Sequence, residues 1–169
     1  MPDFWDHRLS VRNALAVPFR GELGQTYFRL VAGEWLDVDE AKGLHHILVE
    51  VLNEAGQRMI GVPVILENGG RAEQNTEEKR GESYAAAIPM VNLAPAYSIR
   101  VGDFSDKVSG LGLGTIEHPN NAFHTSYRFV FQRAIFGGGG ANPGNPGNED
   151  WARIRQLAGE MLQIADKHR

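Results

Sequence analysis

Apolar side chains in this chain recur at every second position, in short runs bounded by turn residues, and that period admits β-strands and little else. In segment 44–52, His45, Ile47, Val49 and Val51 share one face, while His46, Leu48, Glu50 and Leu52 share the other. Segment 58–66 repeats the pattern with Ile60, Val62, Val64 and Leu66. Between them, Asn53-Glu54-Ala55-Gly56-Gln57 carries hairpin-turn chemistry, so the two segments are predicted to pair as a β-hairpin. Pro63 has no N–H to donate, which predicts an edge position or a bulge for the second strand.

The same reading extends along the chain. Segments 84–90 and 97–101 flank a turn at 92–95 and are predicted to form a second antiparallel pair. Segment 124–133 places Tyr127, Phe129 and Phe131 on one face and Ser126, Arg128, Val130 and Gln132 on the other. Segment 26–36 alternates through Phe28, Leu30 and Ala32, and 14–19 adds a short initial strand. Segment 71–82 reads as a long polar loop, with or without a short strand in it. About seven strands with turns between them predict an all-β fold, an antiparallel β-sandwich, over residues 1–136.

Residues 137–148 consist of glycine, asparagine and proline apart from Ala141, and are expected to form a linker. Segment 149–169 follows, with a helix expected over 149–167. Asn148 suits the N-cap, Glu149 and Asp150 the positive end, and Lys167, His168 and Arg169 the negative end. Trp151, Ile154, Ala158, Met161, Leu162 and Ala165 fall at helical spacing on one side. Such a stripe needs cover, either from its own sandwich or from a partner chain, because an isolated helix of this length is marginal in water.

Composition narrows the function classes. A formal charge of -4 lacks the clustered Lys and Arg that nucleic-acid phosphates require. No apolar run is long enough to span a bilayer. Asp3, Asp6, His7, Arg8 and Arg12 interrupt the region where an export signal would have its apolar core, so a cytoplasmic location or a non-signal export route is expected. Without cysteine there are no disulfides, thiolate zinc sites or cysteine nucleophiles.

Catalytic patterns are weak. The run Gly110-Leu111-Gly112-Leu113-Gly114-Thr115 lacks the Lys-Ser/Thr ending of a phosphate loop and reads as a permissive connection between strands. His45, His46, His118 and His124 have no standard metal-site spacing, and His45 and His46 should point to opposite faces, so neither metal nor cofactor is expected. Glu34, Asp37, Asp39 and Glu40 surround Trp35, but 37–43 reads as an exposed loop of solvated carboxylates. Neither a G-x-S-x-G elbow nor an S-x-x-K pair is present, and the chain is read as noncatalytic.

What remains is binding. Aromatic rings on loops stack against sugar C–H faces while neighbouring polar groups pair with hydroxyls. The candidates are Trp35, Phe104 and Phe123, with Trp5 as a further ring, accompanied by Asp103, Asp106, His118, Asn120, Asn121 and His124. They are expected to gather at one loop-bearing end made of 103–115 and 118–124. The bland alternative is that Trp35 and Phe123 close the ends of the core.

The stretch Val49-Glu50-Val51-Leu52-Asn53-Glu54-Ala55-Gly56-Gln57-Arg58-Met59-Ile60-Gly61-Val62-Pro63-Val64 resembles the hairpin of prealbumin-like and carboxypeptidase-regulatory-like β-sandwich domains and of bacterial Ig-like modules. Residues 83–86, 110–115 and 124–127 resemble β-sandwich modules of bacterial multidomain proteins that sit beside cell-wall or glycan-active domains. That resemblance implies an accessory, carbohydrate-binding role. The rival expectation is an assembly protein whose C-terminal helix docks on a neighbouring subunit or partner.

Overall fold

The computed structural model describes residues 2–67 and 71–137. Ten strands occur there: β1 (Phe4–Trp5), β2 (Leu15–Val17), β3 (Thr26–Leu36), β4 (His46–Leu52), β5 (Pro63–Glu67), β6 (Arg71–Asn75), β7 (Ala86–Pro89), β8 (Tyr97–Val101), β9 (Lys107–Leu111) and β10 (Ser126–Ile135). Two short helices, α1 (His7–Val11) and α2 (Val38–Ala41), join them. One sheet has the order β1-β3-β10-β4-β7 and the other β2-β9-β8-β5-β6. The expected linker beyond Gly137 and the expected helix at 149–167 lie outside the described residues.

The two sheets enclose one main core, and the alternation explains why. Ile47, Val49 and Val51 point inward from β4, Tyr127, Phe129 and Phe131 from β10, and Val64, Ile99 and Val108 from the facing sheet. Leu48, on the other face of β4, packs with Leu36 and Ala41 in a smaller cluster beneath α2. Asp37 caps α2, and its carboxylate accepts from the backbone N–H of Asp39 and Glu40 while Glu40 reaches back to the Asp37 N–H. The segment 37–43 is therefore a capped helical turn, not the loop that its charge suggested.

Several pairing expectations are corrected. The second sheet is antiparallel throughout, but the first is mixed: β10 runs parallel to β4, and β1 parallel to β3. The predicted hairpin of 44–52 with 58–66 closes only around its turn, where the Met59 N–H donates to the Val51 carbonyl and Leu52 bridges Arg58. The chain then bends at Ile60 and Gly61 and crosses to the other sheet, where the Val62 carbonyl accepts from the Thr76 N–H and the Val62 N–H donates to the Thr76 hydroxyl oxygen. Ile60 is left exposed, while Val62, Val64 and Leu66 reach the core as expected. Strands β7 and β8 likewise belong to different sheets, β7 beside β4 and β8 between β9 and β5.

Pro63 does not lie on an edge strand, since β5 sits between β8 and β6. It is tolerated because it is the first residue of β5 and uses only its carbonyl, accepting from the Gly102 N–H. The polar segment after residue 70 does contain a strand, β6, paired with β5. The three strands that add most to the expected count, β1, β6 and β9, are short, and β9 includes part of the glycine run.

Glu50 is the one acidic residue of β4, and burial pushes its carboxyl above the usual range while Arg58 opposes that shift. Arg58 grips both its oxygens at 2.8 Å and also donates to the carbonyls of Lys79 and Glu82. Because the folded carboxyl holds its proton to higher pH than the unfolded one, ionisation of Glu50 removes stability as pH rises from its ordinary value of 4.5 through the raised folded value. Arg58→Met alone is expected to cost about 2–3 kcal/mol at neutral pH, less than for a fully dry pair because the Arg58 side chain keeps 21% exposure. Glu50→Leu combined with Arg58→Met should cost under about 1 kcal/mol and flatten this part of the pH profile. Urea titrations of the three proteins across pH check both statements.

Candidate functional site

The expected single loop-bearing end is two ends. Strand β9 runs between the β8–β9 turn and the loop that follows, so Asp103, Phe104 and Asp106 are separated by the length of a five-residue strand, about 17 Å, from the loop holding His118, Asn120, Phe123 and His124.

At the first end the structure gathers rings that lie far apart in the sequence. Phe19 stacks on Tyr27 with centroids 5.3 Å apart and contacts Phe104 and Phe136, each at 5.8 Å. Tyr27 meets Phe136 edge-on at 5.8 Å. Phe104 remains 48% exposed, and Leu23, 83% exposed, leans on Gly137, two residues past the end of β10. Burial and the nearby Asp106 charge hold the Tyr27 hydroxyl above its ordinary pKa. Of the four rings only Phe104 was legible as a site residue, because Phe19, Tyr27 and Phe136 sit at strand ends where alternation says nothing about neighbours.

Asp106, expected among ligand contacts, serves the fold instead. Its two carboxylate oxygens accept from the backbone N–H of Phe19 and of Leu30, both at 2.8 Å. The Phe28 N–H donates to the Phe104 carbonyl and the Asp106 N–H to the Phe28 carbonyl, so this turn also stitches the edge of β3 to the opposite sheet. Asp103 is exposed beside the ring cluster.

Trp35 is 3% exposed and offers no face to a ligand. The guanidinium groups of Arg8 and Arg12 lie over its ring, 5.2 and 5.0 Å from the centroid. Three of the four carboxylates around it are committed: Glu40 accepts from Arg8, Glu34 from Arg128, and Asp37 caps α2. Trp5 is half-buried, packs over Gly33 and donates from its indole N–H to the Ser10 hydroxyl. Both tryptophans therefore belong to the closing of the core.

At the second end the loop after β9 folds on itself, with the His118 N–H on the Thr115 hydroxyl oxygen and the Asn121 N–H on the His118 carbonyl. His118, Asn120, Phe123 and His124 are exposed, and the His118 ring lies 5.7 Å from that of Phe123. His45 and His46 do not diverge as expected. His45 precedes β4, so strand alternation does not govern it, and its ring lies 5.0 Å from His46 and 4.7 Å from His124. Burial and the neighbouring His45 push the His46 imidazole below its ordinary pKa. Among the described residues no group of three or more His, Asp or Glu side chains is arranged to hold a metal ion. No described helix is long and apolar enough to cross a membrane.

This second end also contains a cavity of about 300 Å³. Its walls are the end of α1 (residues 11–13), the β7–β8 turn at Ala94 and Pro95, and the loop of residues 115–119. The glycine run allows that meeting of walls: a Cβ at Gly112 would collide with the backbone of Leu93 and Ala94, and one at Gly114 would come within 2.8 Å of the Pro119 carbonyl oxygen.

Comparisons with protein-family models, curated proteins and solved structures yield no match for this chain. The functional reading therefore rests on the geometry of the two ends.

Proposed function

We propose that this chain is a noncatalytic assembly module, in which the aromatic end of the sandwich receives the amphipathic segment 149–167 of a neighbouring copy. The observation that carries this reading is the apolar surface built by Phe19, Tyr27, Phe104, Phe136 and Leu23 beside the end of β10. Leu23 and Phe104 are left open there, and aliphatic and aromatic surface of this kind suits a protein stripe better than sugar hydroxyls. The linker of glycine, proline and asparagine starts at the rim of the same surface. Exchange of segments between two copies would cover both surfaces and both stripes under two-fold symmetry. Kinship with prealbumin-like and Ig-like accessory modules belongs to this proposal and is supported by the sequence stretches that resemble them.

Light scattering of the full chain should give a concentration-dependent dimer. Ending the chain at Phe136, or introducing Leu23→Asp with Phe104→Asp, should weaken that dimer by about tenfold or more. A monomer at every concentration, unaffected by either change, would refute the reading.

A second reading, glycan binding, is favoured by one observation at the opposite end: Phe123 is 39% exposed beside His118 and Asn120 on a loop braced by its own backbone bonds. It predicts retention on a polysaccharide that is lost in Phe123→Ala, and a blank glycan array would dismiss it.

A further inference from the structure

We propose that the cavity between α1, the β7–β8 turn and the loop after β9 is a binding site for a small organic carboxylate with an apolar body. The inference is independent of the assembly reading, because it concerns the opposite end of the sandwich.

Arg12 is the reason. Arg8, Arg29, Arg58, Arg128 and Arg133 each reach a carboxylate at 2.7–3.0 Å, whereas Arg12 has no carboxylate partner among the described residues. It is half-buried, its Nη2 donates to the Gly112 carbonyl at 3.1 Å and to the Tyr127 hydroxyl at 3.2 Å, and its guanidinium rests on Trp35. These contacts fix the group in place without neutralising it. Its Nη1 has no acceptor among the described residues, so the two N–H donors of that nitrogen are uncommitted on a rigidly held cation that lines the cavity.

Two neutral donors accompany it in the wall. Thr115 accepts from the His118 N–H at 3.0 Å through its hydroxyl oxygen, which leaves the hydroxyl proton to give. Asn13 presents an exposed amide from a left-handed residue, φ 60°, at the turn between α1 and β2. Pro95, Ile116 and Pro119 supply apolar surface to the same cavity. One cation with two neutral donors matches the charge of a single carboxylate, and a doubly charged phosphate would call for more positive charge. The apolar remainder of the wall favours a body such as an aromatic ring or a branched alkyl chain, and a volume near 300 Å³ limits it to a small molecule.

The test uses isotope-labelled full-length chain titrated with benzoate, with benzyl alcohol as the uncharged counterpart and glucuronate as the polar one, read by amide chemical shifts. Benzoate should give saturable shifts centred on Asn13, Thr115 and Ile116, with both comparison compounds about tenfold or more weaker. Arg12→Gln should reduce benzoate affinity by about tenfold. Ile116→Asp, which leaves every Arg12 contact intact and places a like charge in the wall, should do the same and covers the case in which Arg12→Gln unfolds. Non-saturable benzoate shifts, equal binding of benzyl alcohol or of glucuronate, or full benzoate affinity in folded Ile116→Asp would each overturn the proposal.

Discussion

Phe129→Ala is expected to lower the free energy of unfolding by about 3–5 kcal/mol, enough to unfold much of a marginally stable domain. Phe129 is fully buried on β10, the central strand of its sheet, with β3 on one side and β4 on the other. Its ring stacks on Tyr127 at 6.0 Å, and the strand it belongs to is held from both edges, so the cavity left by truncation cannot collapse by moving one edge strand. The denaturation midpoint should fall with little change in slope. Phe129→Leu, which keeps most of the volume, should cost well under half as much. A truncation cost below about 1 kcal/mol would mean that β10 does not occupy the centre of the core.

Asp106→Ala should be the other severe change, at about 2–5 kcal/mol, although Asp106 lies in a surface turn. Each carboxylate oxygen satisfies a different backbone N–H, that of Phe19 and that of Leu30, and alanine strands both. Asparagine can accept only one of them and turns an N–H toward the other, so Asp106→Asn should fall between wild type and alanine. Thermal unfolding distinguishes this structural role from a ligand-contact role, which predicts unchanged melting and altered binding only. The assembly reading adds a further expectation: losing this clamp loosens Phe19 and the turn bearing Phe104, so the dimer should weaken together with the fold.

The positions of most strands were legible because alternation is a local property. The bounds of β3 and β8 match the expected segments, and Tyr127, Phe129 and Phe131 are buried on one face as their spacing requires. Short elements escaped for an equally local reason. β1 has two residues and α1 five, too few to display a period; only the structure shows Asp6 capping α1, its carboxylate accepting from the Arg8 N–H. At the sites, residue type misled where the same chemistry serves two purposes. Trp35 has the profile of a sugar platform and is a buried lid under two arginines, and Asp106 has the profile of a polar contact and is a backbone clamp.

From the residues alone follow the all-β character, the inward faces of the main strands and the turns between them, since each depends on side chains a few positions apart. Which strands pair is a different matter. The turn at 53–57 forms as its residues dictate, yet β4 and β5 end in opposite sheets because β4 gains a parallel partner in β10 and β5 gains β6 and β8. That choice compares burial and hydrogen bonding across the entire sandwich. It also decides where function can sit, because β9 holds the aromatic end and the Arg12 cavity at opposite ends of the molecule, and their residues come from stretches of chain that are brought together only when the two sheets close.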